Sequence, residues 1–196
     1  MTSTNSPAFH QIVRPHEITA ELKRELIDCW ITVTNAGGAA GFLFPPVDTE
    51  HVAPVADRLI ADLEPDRSRL FLAAIDGSLV GWLNIRRDIN PLVAHWGTID
   101  HLQSHTSFCG CSIGTALMNR AREIARDEMN LAARGGVELE DFYGRLGWKE
   151  IGRWPGALRL ARLAESSGQQ LPADGRAVAV VGTSSYAGRH GHAHQG

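Results

Sequence analysis

The stretch LQSHTSFCGCSIGTALM, residues 102–118, decides the fold of this chain. It reads as the end of a β-strand, a turn that contains Gly110 and Gly114, and the start of a helix. Such a turn leaves the first backbone N–H groups of the helix without intrahelical partners, and the helix dipole adds about half a positive charge there. Glycine permits close approach of the backbone to a ligand. The stretch therefore predicts a binding site for a phosphate or pyrophosphate.

The segments around this stretch alternate between helices and strands. Asp76-Gly77 lies between two apolar runs and indicates a β-hairpin. A third strand is predicted over residues 97–104, with Ile99 on the face opposite Leu102. The order of elements predicts a mixed α/β domain over residues 15–160. The other predicted elements are a helix from Thr19 to Gly37, a helix from Asp48 or Thr49, a short strand at 129–133, a helix over 137–146 and a strand over 148–154.

The two ends of the chain differ from this domain in composition. Residues 1–14 are polar and small, and they are predicted to be a loose leader. Residues 161–196 are an atypical segment, rich at first in Ser, Gly and Gln. At most one edge strand is expected there, over 177–181, followed by a disordered tail rich in His and Gly.

Composition excludes several classes of protein. The chain has 196 residues and a formal net charge of −3, from 19 basic and 22 acidic side chains. It has no basic block or stripe of the kind that marks nucleic-acid or membrane-surface proteins. No apolar run reaches the roughly 18–20 residues of a membrane-spanning helix. Three cysteines, an odd count, make no disulfide framework, which favours a reducing cytoplasm.

The turn resembles the acetyl-CoA motif of the GCN5-related N-acetyltransferase family. In that family the motif Arg/Gln-x-x-Gly-x-Gly/Ala follows the fourth strand, and here the corresponding run is CGCSIGTALM, residues 109–118. The departures are Cys109, where the family has Arg or Gln, and Ser112, where it has Gly. The matching positions are Gly110, Ile113, Gly114, Leu117 and Met118.

This resemblance implies a mostly antiparallel central sheet flanked by helices. It also implies that the chain uses acetyl-CoA as a co-substrate; no metal is expected. The backbone of the fourth strand would pair with the pantetheine arm and polarise the thioester, and the turn would hold the pyrophosphate. The residues assigned to acetyl-CoA in this way are Leu102, Gln103, Ser104, Cys109, Gly110, Cys111, Ser112, Ile113, Gly114 and Thr115.

A second block, DFYGRLGW at residues 141–148, resembles the family's Phe-Tyr-x-x-x-Gly-Phe sequence. The resemblance implies that Tyr143 is the general acid for the CoA thiolate. Family members often carry a basic Glu early in the fourth strand, where this chain has Thr98. Asp100, two residues further on, is the candidate base, and a solvated or salt-bridged Asp100 is the alternative.

Within the family, the sequences GGAAGF at 37–42 and WPG at 154–156 look most like the tabtoxin-resistance type of acetyltransferase, which acylates a small toxin amine. The implied function is transfer of an acetyl group to the amine of a small molecule, an antibiotic or a toxin. By the same analogy, residues 41–47 border the acceptor pocket. No nucleic-acid or membrane partner is expected, and a homodimer is left open beside a monomer.

Two other hypotheses remain open at this stage. Because a thiol cannot supply the charge and the donors of a guanidinium, the altered turn also allows a degenerate, non-catalytic fold that binds a ligand or partner. A metal site is the other hypothesis, but side chains on one strand and turn diverge, and structural zinc sites usually show paired Cys-x-x-Cys. The residues considered for it are His101, His105, Cys109 and Cys111.

Overall fold

A computed structural model describes residues 6–38, 41–42, 45–92, 97–108, 111–124, 129–134, 139–154 and 177–182. Within these residues, seven strands form one sheet and four α-helices pack around it. The strands are β1 (Ala8–Ile12), β2 (Ser68–Ile75), β3 (Ser78–Arg87), β4 (Gly97–Ser104), β5 (Met129–Arg134), β6 (Lys149–Trp154) and β7 (Ala177–Gly182). The helices are α1 (Ala20–Asn35), α2 (Thr49–Ala61), α3 (Ile113–Ile124) and α4 (Leu139–Arg145).

The strands lie in the order β1-β2-β3-β4-β5-β7-β6. Each neighbouring pair is antiparallel except β4 with β5, which is parallel.

Helices α1 and α2 begin at the predicted capping residues. Thr19 Oγ1 accepts a hydrogen bond from Leu22 N–H at 3.1 Å, and Asp48 Oδ1 accepts one from His51 N–H at 3.2 Å. The mixed, mostly antiparallel sheet flanked by helices confirms the predicted α/β fold class.

Two hydrophobic cores lie on opposite faces of the sheet. Leu70 and Leu72 of β2 pack with Trp30 of α1, which is only 1 % exposed. Phe71, between them in sequence, packs on the other face with Leu117 of α3. Successive side chains of a strand point to opposite faces, so the central strands are apolar on both sides. The site described below is built where β4 leaves this regular packing.

Strand β4 carries a β-bulge at Asp100. Ile99 and His101 pair with successive residues of β3, so Asp100 has no partner position on that strand. Beyond this extra residue, the side chains of β4 point to the opposite faces from those that regular alternation would give. Leu102 therefore packs into the same core as Ile99. The prediction that these two side chains lie on opposite faces is therefore wrong, because a bulge adds one residue to one strand of a pair.

Strands β4 and β5 are paired only where both begin. Their register joins residues 97–99 to residues 129–131 and goes no further within the described part of the chain. The opposite edge of β4 stays bonded to β3 as far as Ser104. Beyond Ile99, β4 therefore turns one edge of its backbone toward a gap in the sheet, where an extended ligand could supply the missing partners.

The ends of the chain differ from the sequence predictions. Residues 8–12 of the expected leader form β1, which pairs along its whole length with β2. Strand β7 is interior rather than an edge, since it lies between β5 and β6. Its sequence AVAVVG carries no charge, which suits a strand with partners on both sides, because exposed edges are commonly protected by charged residues. The predicted disordered tail lies outside the described residues.

Candidate active site

The turn before α3 is built around Ser112, which has φ of +56°. This left-handed conformation favours glycine, the residue that the family motif has at this position. The Ser112 carbonyl accepts the first α-helical bond, from Ala116 N–H at 2.9 Å, so the three N–H groups between them have no acceptor within the helix. The structure describes the predicted cradle residues Cys111, Ser112, Ile113, Gly114 and Thr115; Cys109 and Gly110 lie outside the described residues.

Gly114, in the first turn of α3, is the point where three elements meet. A Cβ at this position would lie 3.4 Å from Ser104 Oγ of β4 and 3.6 Å from Phe142 Cζ of α4. The C-terminal end of β4, the N-terminus of α3 and the Phe142–Tyr143 pair are therefore neighbours. The structure thus brings together the strand, turn and helix that the resemblance assigned to one site.

Tyr143 is buried in the core under α3 and α4, with 7 % of its surface exposed. Its ring centroid lies 5.0 Å from that of Phe142 and 6.1 Å from that of Trp148. Burial raises the pKa of Tyr143 to about 12. The hydroxyl is protonated at neutral pH, as it is in any tyrosine near its usual pKa, and this is the state that a general acid requires.

Arg122 of α3 holds the end of the tyrosine helix in place. Its Nη1 donates to the carbonyl of Leu146, and its guanidinium carbon lies 5.8 Å from the centroid of the Trp148 ring. Helix α4 has seven residues, too few for a helix to be stable by itself in water. The position of Tyr143 therefore depends on tertiary contacts such as those of Arg122.

Asp100, the candidate base, forms an ion pair. Its Oδ2 lies 3.1 Å from Arg86 Nη1 of the neighbouring strand. The structure thus shows the salt-bridged Asp100 that the sequence left open as the alternative to a base. Thr98, which stands where the family often has Glu, is exposed.

The three β4 residues assigned to the thioester all lie beyond the last pair between β4 and β5. Leu102 packs toward the α3 core, whereas Gln103 lies on the α1 side and is 1 % exposed. Ser104 approaches the first turn of α3, as described above. The backbone of this segment is bonded to β3 on one edge and unpaired with β5 on the other.

His101 is a candidate that the sequence singled out only as a metal ligand. Its ring packs against Trp30 and Trp82, at 4.8 and 5.6 Å between ring centroids. Its Nδ1 is buried and has no hydrogen-bond partner. The sequence did show a histidine just before the predicted cofactor segment. The face of the sheet on which it lies could not be predicted, because the bulge at Asp100 changes that face.

The connection between α1 and α2 packs next to His101. Asn35, at the end of α1, donates to the Val47 carbonyl at 2.9 Å and accepts from the Val47 N–H at 2.7 Å, which fixes the end of the connection. The Phe42 ring lies 5.8 Å from that of Trp30. A Cβ at Gly41, where φ is +84°, would lie 3.7 Å from His101 Nε2.

The residues considered for a metal have separate environments. His105 Nδ1 accepts from Ser107 N–H at 3.2 Å, and its ring packs against Phe108, while His101 lies among tryptophans. In the described part of the chain, no group of three or more His, Cys, Asp or Glu side chains is arranged to hold a metal ion. No helix among the described residues has both the length and the apolar character needed to cross a bilayer.

Comparisons with known proteins agree with this geometry. Three solved structures share the fold at 14 % identity, which at that level shows the fold alone. An acetyltransferase of the GNAT family from Streptococcus pneumoniae has a TM-score of 0.58, covering 89 % of this chain and 98 % of its own. Ribosomal-protein-alanine N-acetyltransferase from Brucella melitensis has 0.62, covering 89 % and 98 %. Aminoglycoside 6'-N-acetyltransferase complexed with coenzyme A has 0.61, covering 89 % and 96 %.

Sequence comparison gives the family directly. No curated protein sequence matches the chain. A profile of the acetyltransferase (GNAT) family matches residues 22–148, which is more than half of the 196-residue chain and includes β4, the turn, α3 and the tyrosine helix. The chain therefore belongs to the GNAT family of acetyltransferases.

Proposed function

We propose that this acetyltransferase moves an acetyl group from acetyl-CoA to the primary amine of a small molecule. The observation that carries the proposal is the end of the β4–β5 pairing at Ile99, next to the free N–H groups of α3. The unpaired edge of β4 suits the extended, amide-containing arm of the thioester. The N-terminus of α3 suits its pyrophosphate. Gly114 joins the two halves of the site, because it packs against Ser104.

The altered turn is compatible with acetyl-CoA. Ser112 adopts the left-handed backbone that the family obtains from glycine, so the shape of the cradle is retained at the cost of some backbone strain. Cys109 lacks the charge of the family's Arg, which weakens the attraction for the pyrophosphate. The N–H groups at the start of α3 are independent of side chains and still offer donors. No observation favours the degenerate, non-catalytic alternative.

The proposed chemistry is direct acyl transfer. The amine nitrogen bonds to the thioester carbon, and backbone N–H groups of residues 102–104 stabilise the negative charge on the carbonyl oxygen. When the carbon–sulfur bond breaks, Tyr143 gives its proton to the thiolate. The position of Tyr143 supports this role, because it follows Phe142, whose ring lies 3.6 Å from where a Cβ at Gly114 of α3 would be.

A small-molecule acceptor, an antibiotic or a toxin, is the substrate class that we infer. The resemblance of residues 37–42 to the tabtoxin-resistance type supports it, as does the likeness of the fold to an aminoglycoside 6'-N-acetyltransferase. The near-neutral charge balance of the chain also suits a small substrate better than a nucleic acid. The odd cysteine count supports a cytoplasmic location.

Isothermal titration with acetyl-CoA tests the proposal. The chain should bind with a dissociation constant in the micromolar range or tighter, a free energy of about −8 kcal/mol. Tyr143→Phe should keep that affinity and lower kcat about 100-fold. Tyr186→Phe, which changes the other tyrosine of the chain, is the matched control and should change neither. No heat and no thermal shift at millimolar acetyl-CoA would overturn the proposal.

A further inference from the structure

Phe142, Tyr143 and Trp148 form an aromatic row between the first and last turns of α3. The Phe142 ring lies 5.0 Å from that of Tyr143, and the Tyr143 ring lies 6.1 Å from that of Trp148. Phe142 contacts α3 at Gly114, where a Cβ would lie 3.6 Å from Phe142 Cζ. At the other end of the row, the guanidinium carbon of Arg122 lies 5.8 Å from the centroid of the Trp148 ring. Helix α3 therefore contacts the aromatic row at both of its ends.

The distance between these two contacts is fixed by α3 itself. Gly114 and Arg122 are eight residues apart on this helix, which separates them by about 12 Å along its axis, because an α-helix rises 1.5 Å per residue. Gly114 belongs to the turn that the proposed function assigns to the pyrophosphate of acetyl-CoA. The same helix thus carries the proposed cofactor site at its N-terminus and the contacts that hold the aromatic row.

Arg122 contacts three successive residues just beyond the end of α4. Its Nη1 donates a hydrogen bond to the Leu146 carbonyl, and a charged donor makes such a bond stronger. Its Nη2 lies 3.5 Å from the position that a Cβ at Gly147 would occupy, and its guanidinium lies over the ring of Trp148. The φ of Gly147 is +79°, a left-handed conformation that favours glycine and that ends the helix sharply.

Two of these residues are bonded back to Tyr143. The Tyr143 carbonyl accepts from Leu146 N–H at 3.1 Å and from Trp148 N–H at 3.0 Å. A displacement of residues 146–148 is therefore passed to the backbone of the tyrosine through two hydrogen bonds, and to its ring through Trp148. Among the described residues, no hydrogen bond fixes the Tyr143 hydroxyl. Its position consequently depends on this backbone and on the packing of its ring.

We propose that Arg122 is a positioning residue for acyl transfer, which sets the place of the Tyr143 hydroxyl relative to the sulfur of CoA. The inference rests on the proposed function, in which Tyr143 gives its proton to the thiolate. A general acid must lie within hydrogen-bond reach of the atom that it protonates, and a misplacement of about 1 Å can lower the rate about 100-fold. Arg122 lies in the last turn of α3, at the end opposite the proposed pyrophosphate site. It therefore acts on the rate and not on the affinity for acetyl-CoA.

The first test follows Tyr143 directly and needs no acceptor amine. The chain has two tyrosines, Tyr143 and Tyr186, so ring-labelled tyrosine gives two sets of NMR signals, which Tyr143→Phe assigns. Addition of CoA, which ends in the thiol, should shift the Tyr143 signals in the wild-type chain. In Arg122→Met the shift should fall to less than half, with the dissociation constant for CoA unchanged by titration. An undiminished shift in Arg122→Met would refute the inference.

Two further variants frame this result. Arg120→Met removes an exposed arginine from the same helix and should keep the wild-type shift. Arg122→Lys keeps a charged donor for the Leu146 carbonyl but lacks the planar group that lies over Trp148. Its Tyr143 shift should lie between those of the wild type and Arg122→Met. If Arg122→Met does not fold, Arg122→Lys decides, and a wild-type shift in that variant counts against the positioning role.

The second test is a double-mutant cycle on the rate. CoA release is measured with kanamycin and with 2-phenylethylamine, and the faster amine is used. Arg122→Met should lower kcat about 10-fold and leave the KM for acetyl-CoA unchanged. In the Tyr143→Phe background the same change should leave kcat unaltered, because no acidic proton remains to be placed. A loss of the same size in both backgrounds would show a general structural effect and would contradict the inference.

The two proposals fail in different ways. A wild-type chain that does not bind CoA or acetyl-CoA refutes the proposed function. A chain that binds CoA without any shift of the Tyr143 signals refutes the acid role of Tyr143, and the positioning role of Arg122 with it. A wild-type shift that persists in Arg122→Met refutes the role of Arg122 alone. If neither amine releases CoA, the tyrosine signals still decide.

Discussion

Ser112 holds a left-handed backbone, with φ of +56°, at the position where the family motif has glycine. A side chain in this region strains the backbone, and glycine does not. Ser112→Gly should therefore raise the free energy of unfolding by about 0.5–1 kcal/mol, measured by urea denaturation. Ser107→Gly, in the short turn of residues 106–108 where φ is not positive, is the control and should not stabilise the chain. Equal changes in both variants would contradict the explanation.

Single residues also mark the limit of what the sequence could predict. The glycine motif predicted a helix after the turn, and α3 begins at Ile113, so that Gly114 lies in the first turn of the helix rather than before it. The bulge at Asp100 was not predictable, because a bulge is set by pairing with β3, which is distant in sequence. That one extra residue decides that Leu102 faces α3 and that His101 faces the tryptophans. The candidate base assigned from the sequence was consequently Asp100, which the structure shows in an ion pair.

At the scale of elements, α4 is the part of the site that depends most on its neighbours. Arg122 donates to the carbonyl of Leu146 and lies over the ring of Trp148. Arg122→Met removes a hydrogen bond from a charged donor, worth about 1.5–3 kcal/mol. We expect the free energy of unfolding to fall by about that amount in urea denaturation. Amide hydrogen exchange in α4 should accelerate more than exchange in α1.

The control for this prediction lies on the same helix. Arg120 is exposed and pairs with Glu123 at 2.7 Å, an exposed pair one turn apart. Such pairs contribute little, so Arg120→Met should change the free energy of unfolding by less than about 0.5 kcal/mol. If both variants lost stability equally, a general effect of removing charge from α3 would explain the result, and the specific contact with Leu146 would not.

Element positions were predictable to the extent that they depend on local pattern. The helices after Thr19 and Asp48, the hairpin at Asp76 and the strand over 97–104 were found close to their bounds. The neighbours of the late strands were not, because pairing between distant segments leaves no local signature. Strand β7 was expected at an edge and lies between β5 and β6. Residues 1–14 were expected to be loose because few of them are apolar. Residues 8–12 nevertheless form β1, because a strand can be held by backbone pairing along one edge of β2.

At the scale of the molecule, the sheet separates two cores, and among the described residues each core buries one group that ionises at high pH. Cys29 lies with Trp30 on the α1 side, and Tyr143 lies with Trp148 on the α3 side. Burial raises the pKa of Cys29 from 9.0 to about 12 and that of Tyr143 from 10.0 to about 12. The folded state therefore keeps both groups neutral at a pH where the unfolded chain would lose their protons. This difference in proton binding makes the stability of the fold depend on pH.

The sign of this linkage gives a prediction for the alkaline limb of stability. A group with a raised folded pKa contributes stability that is fully present below its unfolded pKa and is lost as pH rises toward the folded value. The free energy of unfolding should therefore start to fall near pH 9, by about 1 kcal/mol per pH unit from Cys29. Cys29→Ala should move the onset to about pH 10, where Tyr143 begins to act. Urea denaturation from pH 8 to 10.5 measures both onsets. Cys111→Ala removes an exposed thiol and should keep the wild-type onset; a shared shift would mean that burial of Cys29 is not its cause.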